Sequence, residues 1–372
     1  MRKTLKIKSV KLKNFRNYES LQTEFHPELN YIYGKNGSGK TNLVESIYFL
    51  TNLKSFRTKK RASLVKEDAG SMYVGGSFYS DSTNKTIKLE ASFDEQRRIY
   101  RLNDKTEQNL INYLHSVSTM VFFPDSLRVI KDSPVFRRNF FDRAIALIDP
   151  HYLIENKEYL RILRERNKIL KHKLDNGLLE VWNNRFFSCA SKILIKRNGF
   201  LELLEKKLTP LKKTLGMKKN IEVFYSKNLS NYDKKENKTP ALETIKEEYE
   251  KKKGEEKIKK QTCLGPHLDD FVIYLNGANS RESASQGEQR LVIILILLAI
   301  SDVCKEISGE NLIYLFDDMS SELDREKRQS VVEYLMSGDS QVFITSTEKP
   351  ETKSPPEAYS LFDLDSGKGF VY

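Results

Sequence analysis

The sequence contains few cysteines and no long hydrophobic run. Its cysteines, Cys189, Cys263 and Cys304, lie far apart and form no C-x-x-C pair. This spacing argues against a structural metal site or a disulfide framework and predicts a reducing, cytoplasmic environment. The longest apolar run, Leu291 to Ile300, is too short to span a bilayer, so we expect a buried helix and no membrane partner. Residues 1–8 lack a signal-peptide pattern, and their alternation of charged and apolar residues predicts an edge strand.

Acidic residues are outnumbered by basic ones. The 372 residues include 63 Lys and Arg against 51 Asp and Glu, which gives a formal net charge of +12. With 39% hydrophobic and 31% charged residues, the composition is that of a globular protein with one large domain or two. The positive surplus either indicates a polyanionic partner such as nucleic acid or is solubility charge spread evenly over the surface.

One stretch has a specific pattern. Residues 34–41, GKNGSGKT, fit G-x-x-x-x-G-K-[ST], with a strand pattern at 29–33 before them and a helix pattern at 42–50 after them. Glycines let backbone N–H groups turn toward phosphates, and the following helix N-terminus is positive. We predict that Lys40 reaches the β- and γ-phosphates of ATP and that the Thr41 hydroxyl ligates Mg²⁺. The predicted phosphate-binding residues are Gly34, Lys35, Asn36, Gly37, Ser38, Gly39, Lys40 and Thr41.

Basic residues flank this loop on both sides. Arg16 is either a second cation over the nucleotide, since a guanidinium suits phosphate, or a solvated turn residue. The basic stretch 57–61, with Phe56, either contacts a nucleic-acid backbone or is a solvated charged face. Segments with period-two alternation predict an antiparallel sheet beside the nucleotide core; they are 71–79, 85–93 and 98–102.

The middle of the chain has a helical pattern. Residues 151–208 carry apolar residues at three- and four-residue steps, and 241–260 are intensely charged. Pro210, Gly216 and the polar stretch 227–238 are expected to interrupt the helices. We predict a helical lobe inserted between two halves of a nucleotide-binding domain. The expected boundaries are 1–150 for the first half, 151–260 for the lobe and 261–372 for the second half.

The last third contains a glycine motif and a pair of acids. Ser285 and Gly287 lie in SQGEQR, where a hydroxyl and a glycine at a helix start form either an anion site or an ordinary helix cap. The apolar stretch 311–316 ends in Asp317 and Asp318, a Walker B arrangement. We predict that Asp317 holds Mg²⁺ and that Asp318 orients or polarises the attacking water. Lys40, Asp317 and Asp318 are therefore the predicted catalytic residues.

Two stretches follow the acids. Residues 320–324, SSELD, stand where a loop couples the two nucleotide sites of an ABC-type ATPase dimer. The strand pattern 341–347 contains Thr345 and Thr347, which stand where a γ-phosphate sensor would lie.

The order of these motifs resembles that of the ABC-type ATPase heads of SMC-like DNA repair proteins. Several stretches are similar to the RecF family of bacterial recombination mediators: 12–18, 34–41, 123–127, 137–142, 264–270, 285–290 and 317–324. The resemblance implies an α/β fold, an ABC-type P-loop ATPase head with an antiparallel β subdomain and an inserted helical lobe. It also implies an ATP-dependent head-to-tail homodimer, in which Ser285 and Gly287 of one copy bind the γ-phosphate held by the other.

The same resemblance implies a function. A RecF-like protein would bind gapped DNA at junctions of single and double strands. It would cooperate with RecR and RecO and help load RecA during gap repair, replication restart and the SOS response. Asp318 is one methylene shorter than the Glu of most ABC ATPases, which fits slow ATP hydrolysis used as a switch. The resemblance further implies a weak, DNA-stimulated ATPase. The alternatives are a nuclease-linked or defence-system ATPase with the same head, and a transporter ATPase, against which the insertion and the basic charge argue.

Overall fold

The chain divides into two units. The computed structural model describes residues 5–80, 83–94, 97–172, 176–226, 242–309, 311–319, 323–349 and 359–365. The first unit comprises Met1–Ser126, Thr214–Gly216 and Gln286–Tyr372, and the second comprises Leu127–Lys213 and Met217–Ser285. The second unit thus takes in 127–150 and 261–285 beside the inserted 151–260. Within the described ranges, no helix is long and apolar enough to cross a membrane.

Along the sequence, strands predominate near both ends of the chain and helices predominate in the middle. The strands are β1 (Leu5–Phe15), β2 (Tyr18–Glu24), β3 (Leu29–Tyr33), β4 (Ser71–Ser80), β5 (Lys85–Asp94), β6 (Arg98–Leu102), β7 (Lys105–Thr106), β8 (Thr119–Phe122), β9 (Ile221–Ser226), β10 (Asp270–Leu275), β11 (Ala278–Asn279), β12 (Ile313–Phe316), β13 (Val342–Ser346) and β14 (Tyr359–Asp363). The helices are α1 (Lys40–Asn52), α2 (Leu110–Leu114), α3 (Arg128–Lys131), α4 (Pro134–Ile148), α5 (His151–His172), α6 (Asn176–Thr214), α7 (Leu242–Lys259), α8 (Ser280–Ser283), α9 (Gln286–Ser308) and α10 (Arg325–Met336).

The first unit contains the predicted antiparallel sheet. Its strand order is β2-β1-β4-β5-β6-β7, and the predictions for β4, β5 and β6 are confirmed. The edge strand predicted within residues 1–8 agrees with Leu5–Ile7, which pair with β4 alone. From Ser9 onward β1 pairs with β2 as well and is an interior strand. The alternation of β1 reports one buried face, with Ile7, Val10 and Leu12 inside, and says nothing about edge position.

A parallel sheet forms the second layer of this unit. Its order is β14-β3-β13-β12-β8, and β12 and β13 are buried at every position. Helix α1 contacts strands of both sheets, so one hydrophobic core joins the two layers. Parallel pairing sets Phe316 beside Ile344 and Tyr33 beside Ser346. The residues that follow β3, β12 and β13 therefore all lie at the carboxyl ends of the parallel strands. Ligands of open α/β sheets bind at this end.

The second unit is mainly helical. Its sheet has the order β11-β10-β9, and α4 packs against β10. Helices α5, α6 and α7 confirm the helical pattern predicted for 151–208 and 241–260. The expected interruption at Pro210 is wrong, because α6 continues to Thr214. A proline near a helix end removes a single internal hydrogen bond, which the burial of neighbouring Leu208 and Leu211 offsets. The polar stretch 227–238 lies outside the described residues.

A buried arginine joins three parts of this unit. The Arg166 side chain of α5 is fully buried and donates to the carboxylate of Glu256 on α7. It also donates to Asn183 Oδ1 at 2.8 Å and to Thr262 Oγ1 at 2.6 Å. Because a buried guanidinium requires partners for its donors, this network specifies how α5, α6 and α7 pack.

Candidate active site

The glycine-rich loop at 34–39 adopts the conformation that its sequence requires. Gly37 and Gly39 have φ angles of 87° and 107°, in the region that other residues rarely occupy. A Cβ atom at Gly39 would also lie 2.7 Å from the Tyr18 hydroxyl oxygen. Gly39 caps α1 and offers no side chain, so the first N–H groups of the helix remain available for an anion.

The Lys40 side chain is enclosed by this loop. Its buried ammonium donates to the carbonyl oxygens of Gly34 at 2.6 Å and Lys35 at 2.8 Å. The Ser38 Oγ atom is buried and has no hydrogen-bond partner in the described part of the chain. An enclosed cation beside an unsatisfied hydroxyl fits a phosphate group. The side chains of Lys35 and Asn36 are exposed at the outer side of the loop.

An acid from the far end of the chain fixes the start of the loop. The Lys35 N–H donates to both carboxylate oxygens of Asp365, at 2.8 and 2.9 Å. Asp365 follows β14, which pairs with β3. Sequence reasoning missed this contact, since an exposed aspartate 330 residues away has no motif around it.

The first Walker B acid meets the end of the loop. Asp317 follows β12 and its carboxylate Oδ1 accepts hydrogen bonds from Thr41 Oγ1 at 2.8 Å and Thr345 Oγ1 at 2.9 Å. Burial raises the pKa of the Asp317 carboxyl, and the two hydroxyl donors act in the opposite direction. A carboxylate and a threonine hydroxyl in contact are oxygen donors of the kind that Mg²⁺ prefers. The residues present therefore fit a magnesium ion.

Asp318 has a strained backbone held by the same threonine. Its φ angle is 55°, and its N–H donates to Thr345 Oγ1 at 2.8 Å. The buried Thr345 hydroxyl therefore serves both Walker B residues, donating to Asp317 and accepting from Asp318. Thr347, the other candidate sensor, is exposed.

Arg16 is bound to the helix that follows the loop. Its Nε and Nη2 atoms donate to the Glu45 carboxylate at 2.9 and 2.7 Å, and Nη1 donates to the Ser63 carbonyl at 2.7 Å. Glu45 is fully buried in α1 and also accepts from Ser55 and, at 3.4 Å, from Arg57. The sequence offered a weak signal for this contact, a glutamate within an otherwise apolar stretch of a helix.

The glycine motif of the last third lies at the start of a buried helix. Ser285 is exposed and immediately precedes α9, and Gly287 is half-buried in its first turn. Residues 291–300 are buried within α9, which confirms the predicted buried helix. The stretch 320–322 lies outside the described residues, whereas Asp324 caps α10 by accepting from the Lys327 N–H at 2.9 Å.

Comparison with known proteins identifies the family. The family model described as RecF/RecN/SMC N terminal domain matches residues 6–368. A relative from Lactococcus lactis subsp. lactis (strain IL1403), named DNA replication and repair protein RecF, is 33% identical and 98% of each chain is covered. The chain belongs to the RecF family. The resemblance inferred from the motifs is thereby confirmed.

Solved structures agree with a RecF-family fold. The chain is similar to a structure described as the recombination mediator protein RecF-ATP in the RecFOR pathway. The TM-score is 0.86, the identity is 28%, and 97% of each chain is covered. A structure of an SmcHead bound to the C-winged helix domain of ScpA gives a TM-score of 0.53 at 16% identity, with 96% of this chain and 93% of that chain covered. At that identity the likeness concerns the fold alone. The predicted ABC-type head of the RecF family is confirmed.

Proposed function

We propose that this RecF-family chain is an ATP-dependent DNA-binding ATPase of recombinational gap repair. The observation that carries the proposal is the 2.8 Å hydrogen bond between Thr41 and Asp317, residues 276 positions apart. It unites the phosphate loop with the Walker B strand, which is the arrangement that phosphoryl-transfer sites need. The names of the relatives and of the RecF-ATP structure support the same function.

Each site residue has a role in this proposal. The loop 34–41 binds the triphosphate through its backbone N–H groups, the Lys40 ammonium and the Ser38 hydroxyl. Thr41 and Asp317 would hold Mg²⁺, which when bound would supply positive charge next to the phosphate oxygens. Asp318 orients the attacking water and accepts its proton at the carboxylate.

The lid of the site comes from a second copy in this proposal. Ser285 and Gly287, at the start of α9, bind the γ-phosphate held by the partner's loop, so ATP drives a head-to-tail homodimer. Arg16, placed by Glu45 beside α1, acts as a second cation toward the phosphates. Hydrolysis is weak and stimulated by DNA, and it releases the dimer.

The cellular role follows from the family. We propose that the dimer binds gapped DNA where single and double strands meet, with RecR and RecO as protein partners in the cytoplasm. There it would assist RecA loading, replication restart and the SOS response. The name of the similar structure includes the RecFOR pathway, which supports these partners.

Binding and hydrolysis assays test the proposal. Wild-type protein is expected to bind gapped DNA more tightly than blunt duplex, and only with ATP, across several salt concentrations. Lys40→Ala is expected to abolish ATP binding. The matched control Lys35→Ala keeps the loop carbonyl and N–H and loses only an exposed side chain, so it retains ATP binding.

A variant of Asp318 tests the hydrolysis step. Asp318→Asn is expected to bind ATP and DNA normally and to hydrolyse ATP at least about 100-fold more slowly, the usual effect of losing a general base. Wild-type turnover in this variant would remove Asp318 from the mechanism. Equal binding to all DNA forms with and without ATP would leave only nonspecific electrostatics and defeat the proposed function.

A further inference from the structure

One face of the antiparallel sheet carries a row of lysines. The buried partners Ile7, Val10 and Leu12 of β1 turn one face to the core. Alternate residues point to the opposite face, and a register shift between Ile7 and Ser9 places Lys6 and Lys8 on the same face as Lys11 and Lys13. The lysines of this face are Lys6, Lys8, Lys11 and Lys13. All are exposed except Lys6, which is half-buried. We call these four residues the β1 lysine row.

The residues of the neighbouring strands leave the lysines accessible to solvent. Cross-strand partners share a face, so Lys11 lies between Gln22 of β2 and Gly75 of β4, and Lys13 lies between Ser20 and Tyr73. Gly75 has no side chain of its own. The Tyr73 hydroxyl fills the space where a Cβ atom of Gly75 would lie. The surface beside the lysines is therefore low and polar.

The acids of this face differ in their contacts: Glu24, opposite Ser9 on β2, is exposed, whereas Glu90 and Asp104 have partners. Glu90 accepts from the Tyr73 hydroxyl at 2.5 Å and lies 3.6 Å from Arg101, and Asp104 pairs with Lys88 at 3.2 Å. No described carboxylate lies within ion-pair distance of any member of the β1 lysine row. The four lysines of the row outnumber the single acid, Glu24, at the facing positions of β2, so the row carries a net positive charge.

We propose that the β1 lysine row binds the phosphate backbone of double-stranded DNA. The inference rests on the proposed function and adds the place where the duplex is held. Lysines on alternate strand positions are about 6.7 Å apart, and the row spans about 23 Å. With one phosphate per roughly 3.4 Å of axis on each strand, such a row follows about seven base pairs.

The aromatic residues of the face favour duplex over single-stranded DNA. Single-strand sites use open aromatic rings on which bases stack. Here the Lys8 ammonium lies over the Tyr79 ring, 4.4 Å from its centroid, and the Tyr79 hydroxyl contacts Asn84. The Tyr73 hydroxyl donates a hydrogen bond to Glu90, which keeps the Tyr73 ring over Gly75. Neither ring is therefore open for a base to stack on it. Contacts to phosphate carry no sequence information, so we expect binding that does not depend on base sequence.

A four-lysine variant with a matched control tests the surface. One variant changes the β1 lysine row to glutamine, and the control changes four exposed lysines of the second unit, Lys206, Lys213, Lys246 and Lys257, to glutamine. Both variants lower the formal charge from +12 by four. The probe is a blunt duplex of about 30 base pairs, measured by fluorescence anisotropy from about 50 to about 200 mM salt with ATP present.

The β1 variant is expected to lose salt dependence as well as affinity. Each phosphate contact contributes about 0.9 to the slope of log affinity against log salt. Four lost contacts mean that wild type weakens roughly 100-fold more than the variant over this salt range. The control variant keeps the wild-type slope, and both variants keep the ATP hydrolysis rate measured without DNA.

Three outcomes would contradict the proposal that the β1 lysine row binds duplex DNA. An unchanged salt slope in the β1 variant, an equal loss in the control, or competition by vesicles of anionic lipid as strong as by duplex would each exclude a dedicated DNA contact. In those cases the proposed function stands, because wild type still binds DNA with ATP. If wild type binds gapped DNA but not this duplex, the surface alone fails. If it binds neither DNA form, with or without ATP, the proposed function itself fails and the surface fails with it.

Discussion

At the scale of residues, Thr345 fixes the geometry of both Walker B acids. Its hydroxyl donates to the Asp317 carboxylate and accepts from the Asp318 N–H. The φ angle of 55° at Asp318 lies in the left-handed region, which an aspartate adopts more readily than most residues, and the hydrogen bond to Thr345 holds it there. Thr345 therefore positions the carboxylate of Asp318 through its backbone, a role different from direct contact with phosphate.

Replacing this hydroxyl should impair both stability and hydrolysis. Thr345→Val keeps the volume but leaves the Asp318 N–H without its acceptor, which is expected to cost about 1–3 kcal/mol of unfolding free energy. Loss of the alignment is expected to slow ATP hydrolysis about 100-fold. Urea unfolding and steady-state hydrolysis measure the two effects. The control Thr347→Val, at an exposed site, should change stability by less than about 0.5 kcal/mol; an equal effect of both variants would contradict the assignment.

His267 should make the second unit sensitive to acid. It contacts the Tyr159 hydroxyl at 2.6 Å, and burial, with help from nearby arginines, lowers its pKa from 6.5 to about 4. Between these two pH values the unfolded chain binds this proton and the folded chain does not, so stability falls as the pH falls through this range. The contribution is at most about 1.4 kcal/mol per pH unit.

Urea midpoints at about pH 7.5, 6.5 and 5.5 measure this dependence. His267→Gln should flatten the decline relative to wild type. The control His172→Gln, at an exposed position of α5, should leave the decline unchanged. Identical slopes for wild type and His267→Gln would show that other groups cause the acid sensitivity.

At the scale of elements, the sequence predicted what local pattern determines. The phosphate loop, the strands β4 to β6 and the helix α9 follow from glycine spacing, period-two alternation and an apolar run. Strand position within the sheet could not be predicted, because β1 has the same alternation in an interior position as at an edge. The contacts of Arg16 with Glu45 and of Lys35 with Asp365 depend on three-dimensional pairing, for which one sequence carries only a weak signal at Glu45 and none at Asp365.

The packing of the helices in the second unit depends on Arg166. Arg166→Met leaves Glu256 buried without its cation, and we expect a loss of about 3–5 kcal/mol in unfolding free energy. The control Lys168→Met removes an exposed pair with Glu165 on the same helix and should cost less than about 1 kcal/mol. Thermal and urea unfolding check both values. Similar stabilities for the two variants would mean that the buried network does not specify the packing.

At the scale of the whole molecule, charge opposes association of two copies. Each chain carries a formal charge of +12, so two copies repel at low salt. In the proposed dimer, a triphosphate at each shared site would offset part of this repulsion and would join the phosphate loop of one copy to Ser285 and Gly287 of the other. The proposed dimer therefore needs nucleotide, and salt should strengthen it by screening.

Sedimentation of the hydrolysis-deficient Asp318→Asn protein is the most direct measurement of this account. With ATP and Mg²⁺ present, it should sediment at twice the 43.3 kDa of one chain, and without ATP at the single mass. Adding Ser285→Arg to the same protein should leave ATP bound and the mass at 43.3 kDa. The arginine side chain would prevent Ser285 and Gly287 from reaching the γ-phosphate held by the other copy. A double variant that still dimerises with ATP, or an Asp318→Asn protein that stays monomeric while saturated with ATP, would contradict a nucleotide site shared between two copies.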